Sequence, residues 1–154
     1  MALGLRPQDK RELIACYGLP VREGLEVCLQ KSVCAVGFFY RGKLCAASGL
    51  EPRTLLGKEA CVWSWTTGEI TRCQKSFFQI SKYVLECFSA FYPVLYAACA
   101  TDYQQARRYL EHLGAVVQPP FFRLADANRL FCLYRFVKPF QTEIYHKEKL
   151  WEEQ

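Results

Sequence analysis

Apolar residues recur along this chain in two rhythms. Between Pro7 and Lys31 they return every three or four positions: Leu13, Ile14 and Tyr17, then Leu25, Cys28 and Leu29. Such steps stack on one face of a helix, so the spacing predicts two amphipathic helices. Pro7 opens the first, where its missing N–H costs nothing, and Gly18 ends it. The second runs from about Val21 to Lys31. A short strand at 3–6 precedes them. The rhythm then changes: residues 33–40 and 43–50 read as strands around an Arg41-Gly42 turn, an antiparallel hairpin rich in small residues. After a loop at 51–58, a strand rich in aromatic and β-branched residues runs from Ala60 to about Thr67.

The helical rhythm resumes at roughly 71–91. Cys73, Phe77, Ile80, Val84, Cys87 and Phe91 make one core stripe there, widened by Phe78, Leu85 and Phe88. Pro93 marks the exit, and 94–100 is a buried-strand run. Thr101 opens another helix, with Gln104 three residues on in the capping-box pattern. Ala106, Tyr109, Leu110 and Leu113 form its buried face, and Gly114 stops it. Residues 115–117 start a strand, Pro119-Pro120 breaks it, and 121–124 resumes it. A turn at Asp126-Ala127-Asn128 leads to a final strand at 130–136. Strands interleaved with helices imply an α/β (α+β) fold, a mixed sheet with helices packed on it. The stretch 60–117 is its centre.

Composition narrows the classes. A chain of 154 residues, 51% hydrophobic, can bury a real core and argues against disorder. Residues 1–136 read as a single domain. The tail 137–154, with Phe140, Ile144, Tyr145, Leu150 and Trp151, reads as a docking arm or a frayed end. No apolar run is long enough to span a bilayer. The start lacks a basic region followed by an apolar core, so a cytoplasmic location is expected. The net charge of +5 comes without any Lys/Arg run, which speaks against nucleic acid as a direct partner. The nine cysteines are scattered, none in a C-x-x-C pair, and there are two histidines. Small buried hydrophobes in a reducing compartment explain them better than a metal site. Cys73, near a helix start where a thiol pKa can fall, is the one candidate exception, and core packing is the plainer reading there too.

Ala106-Arg107-Arg108-Tyr109-Leu110-Glu111-His112-Leu113-Gly114 resembles the stretch that closes the fourth helix of the GNAT (Gcn5-related N-acetyltransferase) superfamily. Leu5-Arg6-Pro7 is similar to the usual GNAT opening, and the element order matches over about residues 3–136. The resemblance implies a mixed, mostly antiparallel sheet of about six to seven strands flanked by four helices. It also implies acetyl-CoA or another acyl-CoA as the cofactor, and no metal. In that family the acyl-CoA pyrophosphate lies between the aromatic strand and the long helix, on a basic residue followed by a G-x-G or G-x-A turn. The glycines admit the phosphates to backbone N–H groups, and the helix start supplies positive potential.

Here that place holds Thr71-Arg72-Cys73-Gln74-Lys75-Ser76-Phe77-Phe78, with no glycine. Thr67, Gly68, Arg72 and Lys75 remain as candidate cofactor-binding residues. Aligned on Gly114, Tyr103 replaces the family's asparagine, and Leu110 stands where its tyrosine general acid would be. Tyr109 is next to it, about a hundred degrees around the helix. Glu69, just after the aromatic strand, is the best-placed carboxylate for a general base, and Glu51 is second. A solvated loop glutamate is the plainer reading of either.

A narrower resemblance joins three strings: Trp63-Ser64-Trp65-Thr66-Thr67-Gly68-Glu69, the glycine-free helix start with Lys75 and Phe78, and Arg108 through Val116. They look like the GNAT-like internal virion protein of short-tailed bacteriophages. That group also has leucine in place of the catalytic tyrosine. It implies a phage or prophage protein connected with particle assembly or DNA ejection, carrying a degenerate acetyltransferase site. The aromatic tail would then dock on other phage or virion proteins, in the host cytoplasm or within the particle. The alternative is an active acyl-CoA-dependent N-acetyltransferase with an atypical pyrophosphate loop. A third, weaker reading is a phage-made modifier or inhibitor directed at the host. Topology favours the enzyme and the site residues favour the virion component, and the balance leans to the virion component.

Overall fold

In chain order the elements are α1 (Pro7–Tyr17), α2 (Val21–Lys31), β1 (Cys34–Tyr40), β2 (Lys43–Pro52), β3 (Glu59–Thr66), a 3-10 turn (Gly68–Arg72), α3 (Gln74–Phe91), β4 (Val94–Ala100), α4 (Gln104–His112), β5 (Ala115–Arg123) and β6 (Leu130–Phe136). They come from a computed structural model that describes residues 4–137. The strands form one sheet in the order β1-β2-β3-β4-β6-β5. All neighbours are antiparallel except β3 and β4. The mixed, mostly antiparallel sheet with four α-helices is therefore as expected. The tail beyond Val137 lies outside the described residues, as does Leu3.

Arg41 and Gly42 both take positive φ, 49° and 76°. That handedness matches strand twist and closes the β1–β2 hairpin. The small residues of β2 serve close packing. A Cβ on Gly49 would stand 2.3 Å from the Trp63 indole, so only glycine lets that ring lie on the strand. Trp65, Leu13 of α1 and Cys28 of α2 share one cluster. Side chains alternate along a strand, so Val62 faces the other way, and α3 packs on that side through Phe77, Leu85 and Phe88.

Several boundaries differ from the sequence reading. The short N-terminal strand is a single bridge, Leu5 to Thr67, because Pro7 has no N–H to extend a ladder and turns the chain into α1. The long helix begins at Gln74, and Gly68–Arg72 forms a separate 3-10 turn. Its buried residues are Phe77, Leu85, Phe88 and Ser89; Cys87 and Phe91 are exposed, so the core face is rotated from the expected stripe. The capping box at Thr101 does not form, and α4 begins at Gln104. Thr101 is held elsewhere: its N–H continues to Leu130 of β6, and its carbonyl accepts from Arg107. Pro119-Pro120 lies in one continuous edge strand, β5, at an irregularity in register between Gln118 and Phe122.

The feature that positions the site is a fork. β3 and β4 pair only from Glu59 to Cys61 and from Val94 to Tyr96, then part company. Helix α1 reaches both free ends. Asp9 accepts from the Thr66 backbone N–H at 2.9 Å, from the Thr66 hydroxyl, and from the Tyr103 hydroxyl at 2.8 Å. Arg6 pairs with Asp9 at 3.4 Å and donates to the Tyr103 hydroxyl at 2.6 Å. The Arg6 N–H completes the contact by donating to the Thr66 carbonyl. One turn along, Glu12 accepts from the Ala100 N–H at 2.6 Å.

Both carboxylates are buried, and a buried acceptor removed from its donors leaves each donor unsatisfied. Asp9→Ala is therefore expected to cost about 3–5 kcal/mol of stability, and Tyr103→Phe only about 1–2 kcal/mol. Urea titration measures both. An Asp9→Ala loss no greater than that of Tyr103→Phe would show that the carboxylate is not the hub.

Candidate functional site

The fork opens into a cavity of about 940 Å³. Trp63, Ser64 and Trp65 of β3 line it, as do Ala97, Ala98 and Cys99 of β4. The Thr66 and Ala100 amides point to α1 rather than to a neighbouring strand. Residues two apart on a strand share a direction, so Ser64 and Ala98 turn their backbone groups into the same gap. Both residues are exposed. The fork thus presents two facing strand edges that no strand fills.

Helix α4 ties the two sides together. Its start reaches α1 through Tyr103, and Arg6 also meets Gln105 at 3.4 Å. Its middle reaches α3 through Tyr109. That ring stacks on Phe77, with centroids 5.6 Å apart, and meets Phe78 edge-on. The Tyr109 hydroxyl donates to Ser81, which donates to the Phe77 carbonyl. Burial pushes the phenol above its ordinary range, so it stays neutral and keeps its proton. Tyr109 and Leu110 both line the cavity. The hundred degrees between them do not exclude Tyr109, because the cavity reaches around more than one face of α4.

The other sequence candidates gather at a different corner. Thr67 is buried, its N–H donating to Cys45 and its hydroxyl to Leu44, which pins the end of β3 to β2. Gly68 faces open space. Glu69 is shared between Lys43 at 3.6 Å and Arg72 at 3.3 Å. Lys75 is exposed in the first turn of α3, which opens without a side-chain cap. None of these five lines the fork cavity, so the structure brings Glu69 to Arg72 but not to Tyr109. Glu51 does line it, paired with Lys31 at 3.8 Å.

Two groups were missed from sequence. The first is the Trp65 indole N–H, which is buried without a hydrogen-bond partner of good geometry, though it lies close enough to the Cys28 sulfur to favour its anion. The second is Glu12. Burial raises its carboxyl to about 7, with the nearby Asp9 adding and the Ala100 N–H and Arg129 opposing. A Glu on a polar helix face gives no sequence signal of this, since burial comes from β4 in another part of the chain. The cysteines are all free, and Cys73 is buried with its thiol pushed up to about 11, so it is not an activated nucleophile. No metal-binding group of side chains occurs among the described residues. No helix among them is long and apolar enough to cross a membrane.

A carboxyl raised from 4.5 to about 7 binds more protons folded than unfolded across that window, so stability falls as pH rises through it. Glu12→Gln keeps an acceptor for Ala100 and removes the charge. The variant is expected to be more stable than the parent above pH 7, by up to about 3 kcal/mol, and to lose that advantage near pH 4. Denaturant melts at both pH values check this, and equal stability at both would contradict the buried, near-neutral carboxyl.

No family model matches the chain, and no curated protein matches its sequence. Solved structures do match its fold. An IAA acetyltransferase from Bacillus cereus has a TM-score of 0.61 at 8% identity, over 85% of this chain and 91% of that one. A ribosomal-protein-alanine N-acetyltransferase from Brucella melitensis gives 0.61 at 7%, over 85% and 90%. RimJ from Mycobacterium smegmatis, solved in complex with CoA-disulfide, gives 0.57 at 12%, over 76% of this chain and 62% of its own length. At such identities the likeness establishes the fold, that of the GNAT acetyltransferases. Nothing in these comparisons links the chain to a virion protein.

Proposed function

We propose that the protein is an acyl-CoA-dependent N-acyltransferase with an atypical phosphate grip. The carrying observation is the fork. Its facing edges at Ser64 and Ala98 offer backbone donors and acceptors to an extended, amide-bearing chain, which is how an added strand is recognised. The pantetheine arm of an acyl-CoA is such a chain, and it carries the thioester at its tip. A CoA compound bound to one fold neighbour supports the same choice.

The phosphates would lie toward the β3–α3 corner. Arg72 and Lys75 are side chains rather than a glycine cradle, and the uncapped start of α3 adds partial positive charge. Arg72 is already neutralised in part by Glu69, so a weaker grip than the glycine turn provides is consistent with the residues. Tyr109, held by Ser81 in the cavity wall, is the group placed to return a proton to the departing thiolate. Glu69 is spoken for by two cations outside the cavity. A role in particle assembly or DNA ejection rests on the short strings quoted above, with no support from the fold neighbours, and the tail it would use lies outside the described residues.

Thermal melts with acetyl-CoA test this reading. Binding to the native state at a hundred times the Kd stabilises by about 2.7 kcal/mol, a rise of several degrees. The rise is expected for the parent and is expected to shrink sharply in Arg72→Ala/Lys75→Ala. No rise at millimolar acetyl-CoA overturns the proposal.

A further inference from the structure

One turn of the sheet carries an apolar surface that the core does not use. Between β2 and β3, residues 53–58 form a turn whose tip is Leu55-Leu56. Both side chains are fully exposed, and neither belongs to a core cluster. The turn is braced. The Arg53 N–H donates to the Glu59 carbonyl at 3.0 Å, their side chains pair at 3.4 Å, and the Lys58 carbonyl accepts from the Val94 N–H. A Cβ on Gly57 would meet the Thr54 hydroxyl at 2.1 Å, so the turn closes tightly on itself. Phe91, which ends α3 shortly before Val94, is 77% exposed. Single apolar residues on a surface are ordinary, but two adjacent leucines held outward on a fixed turn mark a place where something docks.

We infer that the occupant is the chain's own segment 138–154, with Phe140, Ile144, Tyr145, Leu150 and Trp151 supplying its apolar contacts. This holds whether or not the protein transfers acyl groups. The segment lies outside the described residues, and Val137 is where it leaves the domain. Strand β6 finishes at Phe136, and its Arg135 pairs with Tyr96 of β4. Glu59, which closes the turn, pairs with Val94 of the same strand. The exit at Val137 and the Leu55-Leu56 turn are therefore at the same end of the sheet, with β4 between their strands. Two strand spacings, about 10 Å, separate β3 from β6. An extended chain from Val137 to Trp151 spans up to about 45 Å, so the turn is well within its reach. A tethered segment also meets a nearby surface at high effective concentration, which favours it over a free partner or a second copy.

Charge and side-chain type suit the pairing. Arg53 and Lys58 flank the two leucines and are exposed, as is Arg135 at the same end of the sheet. Glu148, Glu152 and Glu153 surround Leu150-Trp151, and Lys149 is the one cation within 148–153. A tryptophan among acids complements a leucine pair among bases, and tryptophan is a frequent anchor of such contacts. Exposed ion pairs add little affinity, so the apolar contacts supply most of it and the charges set the register. Arg53 also lines the fork cavity, and its guanidinium lies over the Tyr96 ring, 4.9 Å from the centroid. A segment seated on the turn therefore borders the closed end of the fork.

The test places the photo-crosslinking amino acid p-benzoylphenylalanine at position 151 of the full chain, with peptide mass spectrometry to map the products. At low micromolar protein the expected crosslinks are within one chain, to residues 53–58 or to Phe91. Leu55→Ser/Leu56→Ser is expected to lose most of them and to keep the parent's circular dichroism, since neither leucine is in the core. Crosslinks between chains that grow with protein concentration would assign the surface to a second copy and overturn the inference. Crosslinks to other parts of the domain, or a yield no greater than in urea, overturn it as well. So does a Leu55→Ser/Leu56→Ser chain that crosslinks to the turn as the parent does.

Discussion

Thr66 and Ala100 end two neighbouring parallel strands with N–H groups that no strand receives, and the site depends on how those groups are satisfied. Asp9 takes one and Glu12 takes the other, from positions three apart on α1. Side chains at that spacing lie on one helix face, so a single helix meets both strand ends. The result is a wedge. With their terminal amides bonded to α1, β3 and β4 need not zip together beyond Cys61 and Tyr96, and the gap between them stays open. Leaving buried amides unpaired would cost more than the structure can spare. Arg6 and Tyr103 complete the arrangement by tying the same carboxylate to the start of α4.

The wedge sets two carboxylates of α1 in different surroundings. Asp9 has four donors and a structural task. Glu12 has one backbone donor, a place in the cavity wall and a proton affinity near neutrality. Two carboxylates one turn apart thus differ in the hydrogen bonds each receives. Tyr109 reaches the cavity from α3's side because its ring lies flat on Phe77 and its hydroxyl is anchored to Ser81.

Much of the scaffold was legible in the sequence. Helical spacing placed all four helices, and runs of apolar and β-branched residues between turn residues placed the strands, with β5 read as broken at Pro119-Pro120. Arg41-Gly42 announced its hairpin, and the hairpin's small residues its close packing, though not that Trp63 is what lies on Gly49. What the pattern could not show were contacts between distant segments. Thr101 reads as a helix cap until β6 is seen to hold its N–H through Leu130. Asp9 and Glu12 read as ordinary polar positions on α1 until β3, β4 and Tyr103 bury them. Glu69 attracted notice by standing at a strand end, yet Lys43 from the hairpin and Arg72 from the next turn hold it away from the cavity. The absent glycine turn was legible, a departure from the pattern of the family the sequence resembles; the fork was not, since the end of strand pairing leaves no residue signature.

Backbone amide hydrogen exchange at Ser64 and Ala98, with and without acetyl-CoA, tests the central claim most directly. If the fork receives the cofactor's extended arm, both amides slow markedly when acetyl-CoA is present, while those of the exposed edge strand β1 do not change. Protection confined to the β3–α3 corner, or none at Ser64 and Ala98 under saturating acetyl-CoA, would contradict the account.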